Sequence, residues 1–216
     1  SGLSRIQGFH EVATLGSLFR FLAVYELLGS KCMERTLCFL LKHFKANTVI
    51  LLGNTTSPSA IYWLSKVCGA TILGVLGELD NPAVSQALKA VNGLLDCRGA
   101  TVHGLKLFGY GVGTCSSTCT IADSIDVLVT SQPGFIRSCC KLGNDNVDHL
   151  HDLLRPKLLL TGGCRYPCMR DGIYSPGSLR LGYFGVLSVD PSKGVYEFTV
   201  YQLDKYFKET AALQIS

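Results

Sequence analysis

The sequence contains no apolar run close to the roughly 20 residues that a membrane-spanning helix needs. Its first residues, SGLSRIQGFHE, also lack the basic segment followed by an apolar segment that marks a secretory signal peptide. These two absences predict a cytoplasmic protein without an integral membrane segment.

Linker-like stretches, low-complexity segments and internal repeats are also missing from the 216 residues. With 47% hydrophobic residues the chain can bury one sizeable core, so residues 1–216 are expected to form a single domain. Residues 1–3 are expected to be flexible or a remnant, and residues 204–216 to form a polar tail.

The charge balance is nearly even, with 20 basic and 16 acidic residues and a net charge of +4. A nucleic-acid-binding protein usually concentrates its basic residues in a stripe, and no such stripe is present here. Nucleic acid is therefore not indicated as a partner.

Cysteine is abundant, with ten residues in the chain. A short secreted chain would use them in a disulfide framework, but this chain is long, rich in core residues and without a signal peptide, so reduced thiols are expected. The spacings of Cys115 with Cys119 and of Cys164 with Cys168 would permit a zinc site. Ordinary thiols are favoured because Cys68 and Cys97 have no matching partner.

The central stretch runs from Thr48 to Pro82 and contains two apolar runs, TVILLGN and TILGVLGELDNP. The segment between them offers Pro58 at a first helical position and Gly69 as a stop, which predicts a strand-helix-strand unit. Parallel strands place ligands outside their carboxyl ends, so Asn54 and Glu78 are expected at one edge of a sheet.

The rest of the chain predicts further strands and helices. The glycine-rich GYGVGTCSSTC lacks a closing lysine-serine pair and is expected to be a flexible loop near the site. The expected elements are a strand at 4–9, helices at 16–28 and 32–44, a helix after Pro82, a hairpin from GATVHG and LKLFGYG, a strand at 125–130, a helix at 145–154, a strand in LRPKLLLTGG and closing strands in GIYSPGSLR, GYFGVLSVD and GVYEFTVYQL.

In order, the segments GFHEVA, LLGN, LGELDNP, LVTSQPG and LTGGCRYP, followed by PGSLRLGYFGVLSVD, resemble the motifs of the calcineurin-like metallophosphoesterase family. The resemblance covers residues 5–203. It implies an α/β fold with four layers, an α/β/β/α sandwich of the metallophosphoesterase type, in which mixed sheets carry helices on their outer faces.

The resemblance also implies where two divalent ions would bind and shows what has changed there. Glu11, Asn54 and Glu78 stand at metal-ligand positions, but Asn54 lacks the charge of the family's bridging aspartate. Leu79 stands where the family has a histidine acting on the leaving group, and Ser131 stands at a metal-binding histidine.

The last motif of the family is a pair of histidines. Depending on a one-residue shift that the sequence leaves open, this pair corresponds to Gly163 and Arg165 or to Cys164 and Tyr166. The first register places a fixed cation at the site, and the second places a thiolate there. No cofactor is expected, beyond one weakly bound divalent cation (Mn, Mg or Zn) at the vestigial ligands.

The altered motifs favour a non-catalytic metallophosphoesterase-like protein that acts as an interaction scaffold in a larger complex. The chain is similar to the phosphoesterase-like small subunit of retromer, an endosomal coat, which implies a protein-transport role and attachment to endosomal membranes through a larger protein partner. Tyr206 and Phe207 are expected on the partner surface.

Two other functions remain open. One is a divergent metal-dependent phosphoesterase that acts on a phosphomonoester or phosphodiester, so whether the chain is an enzyme stays uncertain. The other is ligand sensing without turnover, in which Arg165, Asn54 and the glycine-rich loop bind an anion.

Overall fold

Two six-stranded sheets and four helices make up the part of the chain that the computed structural model describes, residues 3–8, 18–113, 115 and 124–203. The helices are α1 Lys31–His43, α2 Pro58–Lys66, α3 Pro82–Ala90 and α4 Asp145–Leu154. The strands are β1 Leu3–Gly8, β2 Phe19–Val24, β3 Thr48–Leu51, β4 Thr71–Gly74, β5 Gly99–Val102, β6 Leu105–Tyr110, β7 Val127–Thr130, β8 Leu158–Thr161, β9 Cys168–Arg170, β10 Ile173–Ser175, β11 Tyr183–Asp190 and β12 Val195–Leu203.

Both sheets are mixed. The first has the strand order β1-β12-β11-β2-β3-β4, and the second has the order β5-β6-β7-β8-β10-β9. Strands β2, β3 and β4 are parallel to one another, as are β6, β7, β8 and β10. Each sheet therefore presents the carboxyl ends of several neighbouring strands at one edge.

Three apolar layers hold the four structural layers together. The inner faces of the sheets pack on each other through residues such as Phe21, Ile50 and Val129. Helices α1 to α3 cover the outer face of the first sheet, and α4 covers the second, where Leu150 packs in the same cluster as Leu128 on β7. The predicted α/β/β/α sandwich is thus confirmed.

The helix predicted at 16–28 is wrong, because residues 19–24 form strand β2. Phe21 and Ala23 belong to the cluster between the sheets, whereas Leu22 and Val24 belong to the cluster beneath the helices. A strand buried on both faces is apolar at successive positions, and such a run also contains apolar residues at helical spacing.

Strand β1 has a different place from the one the sequence suggested. It is an outer strand paired antiparallel with β12, and the register through β11 makes it run opposite to β2, with Leu3 near the carboxyl end of β2. It therefore leads away from that edge, and β2 takes the position expected for the first central strand. His10 and Glu11 lie outside the described residues.

The expectation of reduced thiols is wrong for eight cysteines, which form the disulfides Cys38–Cys68, Cys97–Cys115, Cys139–Cys168 and Cys140–Cys164. The partners are 18 to 30 residues apart along the chain, and only the folded structure brings them together. Cys32 is an exposed free thiol.

Two consequences follow from the disulfides. Cys164 and Cys168 have no free thiolates for zinc, while Cys119 lies outside the described residues. Disulfides are typical of oxidising compartments and of intracellular proteins from hyperthermophiles, so an ordinary reducing cytoplasm no longer follows from the cysteine pattern. Among the described residues, none of the four helices has the length and apolar character of a membrane span.

Candidate functional site

The carboxyl edges of the two sheets meet where the loops after β2, β3 and β8 come together. Gly162, just after β8, is packed so closely that a Cβ atom there would lie 2.3 Å from the Leu52 carbonyl oxygen and 2.7 Å from Tyr25 Cδ2. A Cβ atom on Gly53 would lie 3.1 Å from Ser131 Cβ. The two edges therefore form one continuous surface.

The loops after β2 and β3 contain four non-glycine residues in the left-handed region. These are Glu26 (φ 63°), Leu28 (φ 52°), Asn54 (φ 53°) and Thr56 (φ 61°). The loops run side by side, with the Glu26 N–H donating to the Gly53 carbonyl and the Leu28 N–H to the Asn54 carbonyl, both at 3.2 Å. Such conformations are costly for L-residues and cluster at functional sites, so they point to this edge.

Asn54 is buried and both ends of its amide are used. Its Nδ2 donates to the Tyr25 hydroxyl at 3.2 Å, and its Oδ1 accepts from the Leu79 N–H at 3.0 Å. Burial, followed by the charge of Glu26, raises the pKa of Tyr25 to about 12, although the Asn54 hydrogen bond opposes this shift. Tyr25 is consequently a neutral phenol at physiological pH.

The two acidic residues after β4 bind groups from neighbouring loops. Glu78 Oε1 accepts from Gln132 Nε2 at 2.8 Å, which links the first sheet to the second. Asp80 accepts from the backbone N–H groups of Thr56 at 2.7 Å and Gly77 at 2.8 Å. Asp80 therefore fixes the shape of two loops.

Leu79 and Ser131 take the places that the resemblance gave to histidines. Leu79 is exposed, and its contribution to the network is its backbone N–H. Ser131 is buried, and its hydroxyl donates to the Gly111 carbonyl at 3.0 Å. Neither side chain can supply an imidazole's proton or lone pair.

The last loop, after β8, presents Gly163, Arg165 and Tyr166. Cys164 is buried and bonded to Cys140, so the register that would place a thiolate at the site has no thiolate to offer. The Arg165 guanidinium lies 5.7 Å from the centroid of the Tyr166 ring, and both side chains are exposed.

An open cleft of about 420 Å³ lies beside this loop, lined by Glu26, Gly163, Arg165, Ser178, Arg180 and Leu181. Within the described part of the chain, neither Arg165 nor Arg180 has a carboxylate at ion-pair distance. Two guanidinium groups without such partners, opposed by one carboxylate, give the cleft a positive character suited to an anion.

The described residues do not fit a pair of divalent ions. No group of three or more His, Cys, Asp or Glu among them is arranged to hold a metal. The amide of Asn54 and the carboxylates of Glu78 and Asp80 already accept hydrogen bonds within the protein. A two-metal centre would therefore need ligands from elsewhere.

Sequence reasoning missed four residues of this edge, Tyr25, Glu26, Ser178 and Arg180. The first two were hidden by the wrong helix prediction, although FRFLAVYE is an apolar run ending in polar residues, like the segments before Asn54 and Glu78. Ser178 and Arg180 lie in the PGSLR segment, which was matched as a turn and not as part of a site.

No family model and no curated protein matches the chain. Solved structures do match. The protein TT1561 of Thermus thermophilus is 16% identical with a TM-score of 0.61, covering 84% of this chain and 98% of its own. An archaeal phosphodiesterase is 15% identical with a TM-score of 0.54, covering 84% and 99%.

A metallophosphoesterase from Sphaerobacter thermophilus also matches, at 12% identity over 92% of this chain and 93% of its own. Its TM-score of 0.47 is too low to support an argument. At these identities the likeness concerns the fold alone.

Proposed function

We propose that this chain, which has the metallophosphoesterase fold, binds phosphate esters in the cleft between Glu26 and Arg180. The observation that carries the proposal is the presence of Arg165 and Arg180 in one cleft at the carboxyl edge of the sheets, without carboxylate partners among the described residues. A planar guanidinium matches the geometry of phosphate oxygens and keeps its charge at every physiological pH.

The cleft has further groups that suit such a ligand. The Ser178 hydroxyl accepts from the Arg180 N–H at 3.2 Å, and it can still donate its own proton to a phosphate oxygen. Leu181 adds an apolar wall. Glu26 repels the phosphoryl group itself, so we place the ester's neutral hydroxyl groups against its carboxylate.

Phenyl phosphate tests binding by isothermal titration calorimetry. Arg165→Ala and Arg180→Ala should each weaken binding by about tenfold or more, since a charge-assisted hydrogen bond contributes about 1.5 to 3 kcal/mol. Arg170→Ala, an exposed arginine on β9 outside the cleft, is the matched control and should bind as the parent does. Equal affinity in all three variants would refute the proposal.

Hydrolysis of the ester is a second candidate function. It is favoured by the fold shared with a phosphodiesterase and by Glu26, whose carboxylate lies in the same cleft and can accept a proton from water. Release of p-nitrophenol from its phosphate monoester and diester, measured with and without Mn²⁺, tests this. Turnover that needs Mn²⁺ would support the metal-dependent phosphoesterase anticipated from the sequence, whereas metal-free turnover lost in Glu26→Gln would assign the base.

The scaffold and trafficking role draws no support from the matched structures. It stays a prediction, as do binding of a single cation at Glu11, Asn54 and Glu78 and a partner surface at Tyr206 and Phe207. Glu11, Tyr206 and Phe207 lie outside the described residues. If a protein partner still bound the chain in the presence of saturating phenyl phosphate, the scaffold role and phosphate-ester binding would be compatible with each other.

A further inference from the structure

We infer that the ester bound in the cleft is a nucleotide, with its phosphate on Arg165 and Arg180 and its base stacked on Tyr166. This inference rests on the proposed function and specifies its ligand. The first observation is that Tyr166 is 59% exposed beside a cleft for an anion. An exposed aromatic ring next to a phosphate site offers a face on which a base can stack.

The segment that carries the ring is also held in place before any ligand arrives. Disulfides at Cys164 and Cys168 close both ends of the short segment that carries it. Behind the segment, a Cβ atom on Gly177 would lie 2.9 Å from the Pro167 nitrogen, so the backbone there is tightly packed. A backbone segment fixed in this way loses little conformational entropy on binding.

The neighbours of Tyr166 define its orientation. The Tyr183 ring contacts it edge to face, with centroids 6.4 Å apart at 71°. The Arg165 guanidinium lies 5.7 Å from its centroid. A phosphate held by Arg165 therefore brings the rest of its ester within reach of the same ring.

The remaining lining of the cleft suits the sugar. The Glu26 carboxylate can accept hydrogen bonds from ribose hydroxyl groups, which explains an acidic side chain beside two arginines. The volume of about 420 Å³ falls within the range of about 300 to 1,000 Å³ typical of small-molecule sites.

The test compares three probes by calorimetry, namely adenosine 5′-monophosphate, ribose 5-phosphate and adenosine. The nucleotide should bind about tenfold more tightly than ribose 5-phosphate, because stacking of one base on an aromatic ring gives a gain of that order. Adenosine should bind most weakly, because it lacks the phosphate.

Substitutions of Tyr166 test whether its ring causes the tighter binding of the nucleotide. Tyr166→Ala should remove the preference for the nucleotide and leave ribose 5-phosphate affinity unchanged, whereas Tyr166→Phe should keep both. Phe135→Ala, which removes another ring with 59% exposure outside the cleft lining, should change neither affinity.

The two possible failures are distinct. Equal affinities for the nucleotide and ribose 5-phosphate, both lost in Arg165→Ala, would overturn the nucleotide inference and keep the phosphate-ester proposal. Absence of binding for both phosphates would overturn the proposed function, and the nucleotide inference with it.

Discussion

The two sheets hold their edge loops in different ways. After β3 and β4 the loops are fixed by left-handed backbone and by backbone N–H groups that donate to the buried Asn54 and the half-buried Asp80. After β7 and β8 the loops are fixed by two disulfides, Cys139–Cys168 and Cys140–Cys164, and the buried Asp148 also accepts from three backbone N–H groups in the loop after β7. The difference is that the described disulfides reinforce the second edge, where Arg165 has no carboxylate partner among the described residues.

This contrast explains why Arg165, in the disulfide-bonded loop after β8, is available to a ligand. A side chain that already satisfies backbone N–H groups, as Asp80 does, cannot be withdrawn to bind a ligand without leaving those groups unpaired. Arg165 is under no such constraint. Substitutions at either edge, or at the contact between the two edges, test this difference.

Removing one disulfide of the second edge should have the largest effect. Cys140→Ser with Cys164→Ser should lower the free energy of unfolding by about 3 to 4 kcal/mol, as the chain-entropy relation gives for this loop length. It should also weaken phosphate-ester binding, because Cys164 precedes Arg165 directly. Denaturant unfolding and calorimetry measure the two effects.

The matched control is Cys38→Ser with Cys68→Ser, a disulfide of similar loop length that joins α1 to the end of α2. It should cost a similar stability and leave ligand affinity unchanged in the folded protein. If both double variants lose affinity equally, the second edge has no special dependence on its disulfides.

The contact between the edges comes next. Gly162→Ala places a Cβ atom against the Leu52 carbonyl and should lower the unfolding free energy by about 2 to 3 kcal/mol through overpacking. Gly99→Ala is the control, because its new Cβ atom would meet the Leu107 carbonyl at an ordinary 3.6 Å. Thermal unfolding of both variants checks the prediction, which fails if they melt together.

The hydrogen-bonded edge should respond to Asp80→Ala. This change leaves the N–H groups of Thr56 and Gly77 without their acceptor and should cost about 2 kcal/mol. Hydrogen exchange should quicken at these two amides. Asp152→Ala, which removes an exposed carboxylate paired with Arg137, should cost less than about 1 kcal/mol. Unchanged exchange at Thr56 and Gly77 would contradict the role given to Asp80.

The last effect has the opposite sign and concerns Asp96, whose carboxylate accepts from the Leu76 N–H at 3.1 Å. Burial, with a smaller contribution from the charge of Asp80, raises its pKa to about 6 against the opposing hydrogen bond from Leu76. The folded state therefore holds this proton more tightly than the unfolded state, so stability falls as the pH rises from about 4 to about 6.

Asp96→Asn should remove this loss. The variant should be more stable than the parent at about pH 8 by up to about 3 kcal/mol, since each pKa unit corresponds to about 1.4 kcal/mol, and the gain should disappear below about pH 4. Denaturant unfolding across this range measures it. A gain of the same size at both ends would show that the carboxylate's ionisation is not the cause.

Much of the fold could be predicted because its signals are local. Pro58 and Pro82 sit at the start of α2 and α3, and Asn144 precedes α4, whose bounds match the prediction. The apolar runs of β3, β4, β7 and β8 end in glycine or polar residues, and this pattern also placed Asn54 and Glu78 at the correct edge.

The rest could not be predicted because it depends on long-range contacts. The direction of β1 is set by its pairing with β12, almost 200 residues later. The disulfides depend on loops that meet only in the folded chain. The cleft combines Glu26 with Arg165 and Arg180, and no sequence spacing indicates that these residues are neighbours.

The four disulfides divide the described chain in a way that its sheets do not. One closes a loop that ends at Cys68, and the other three begin at Cys97 or later. A single cut of the backbone between these two residues would thus release two polypeptides with no described disulfide between them. Strands β11 and β12 of the second fragment would still complete the first sheet, so the protein is suited to reconstitution from two separately produced fragments.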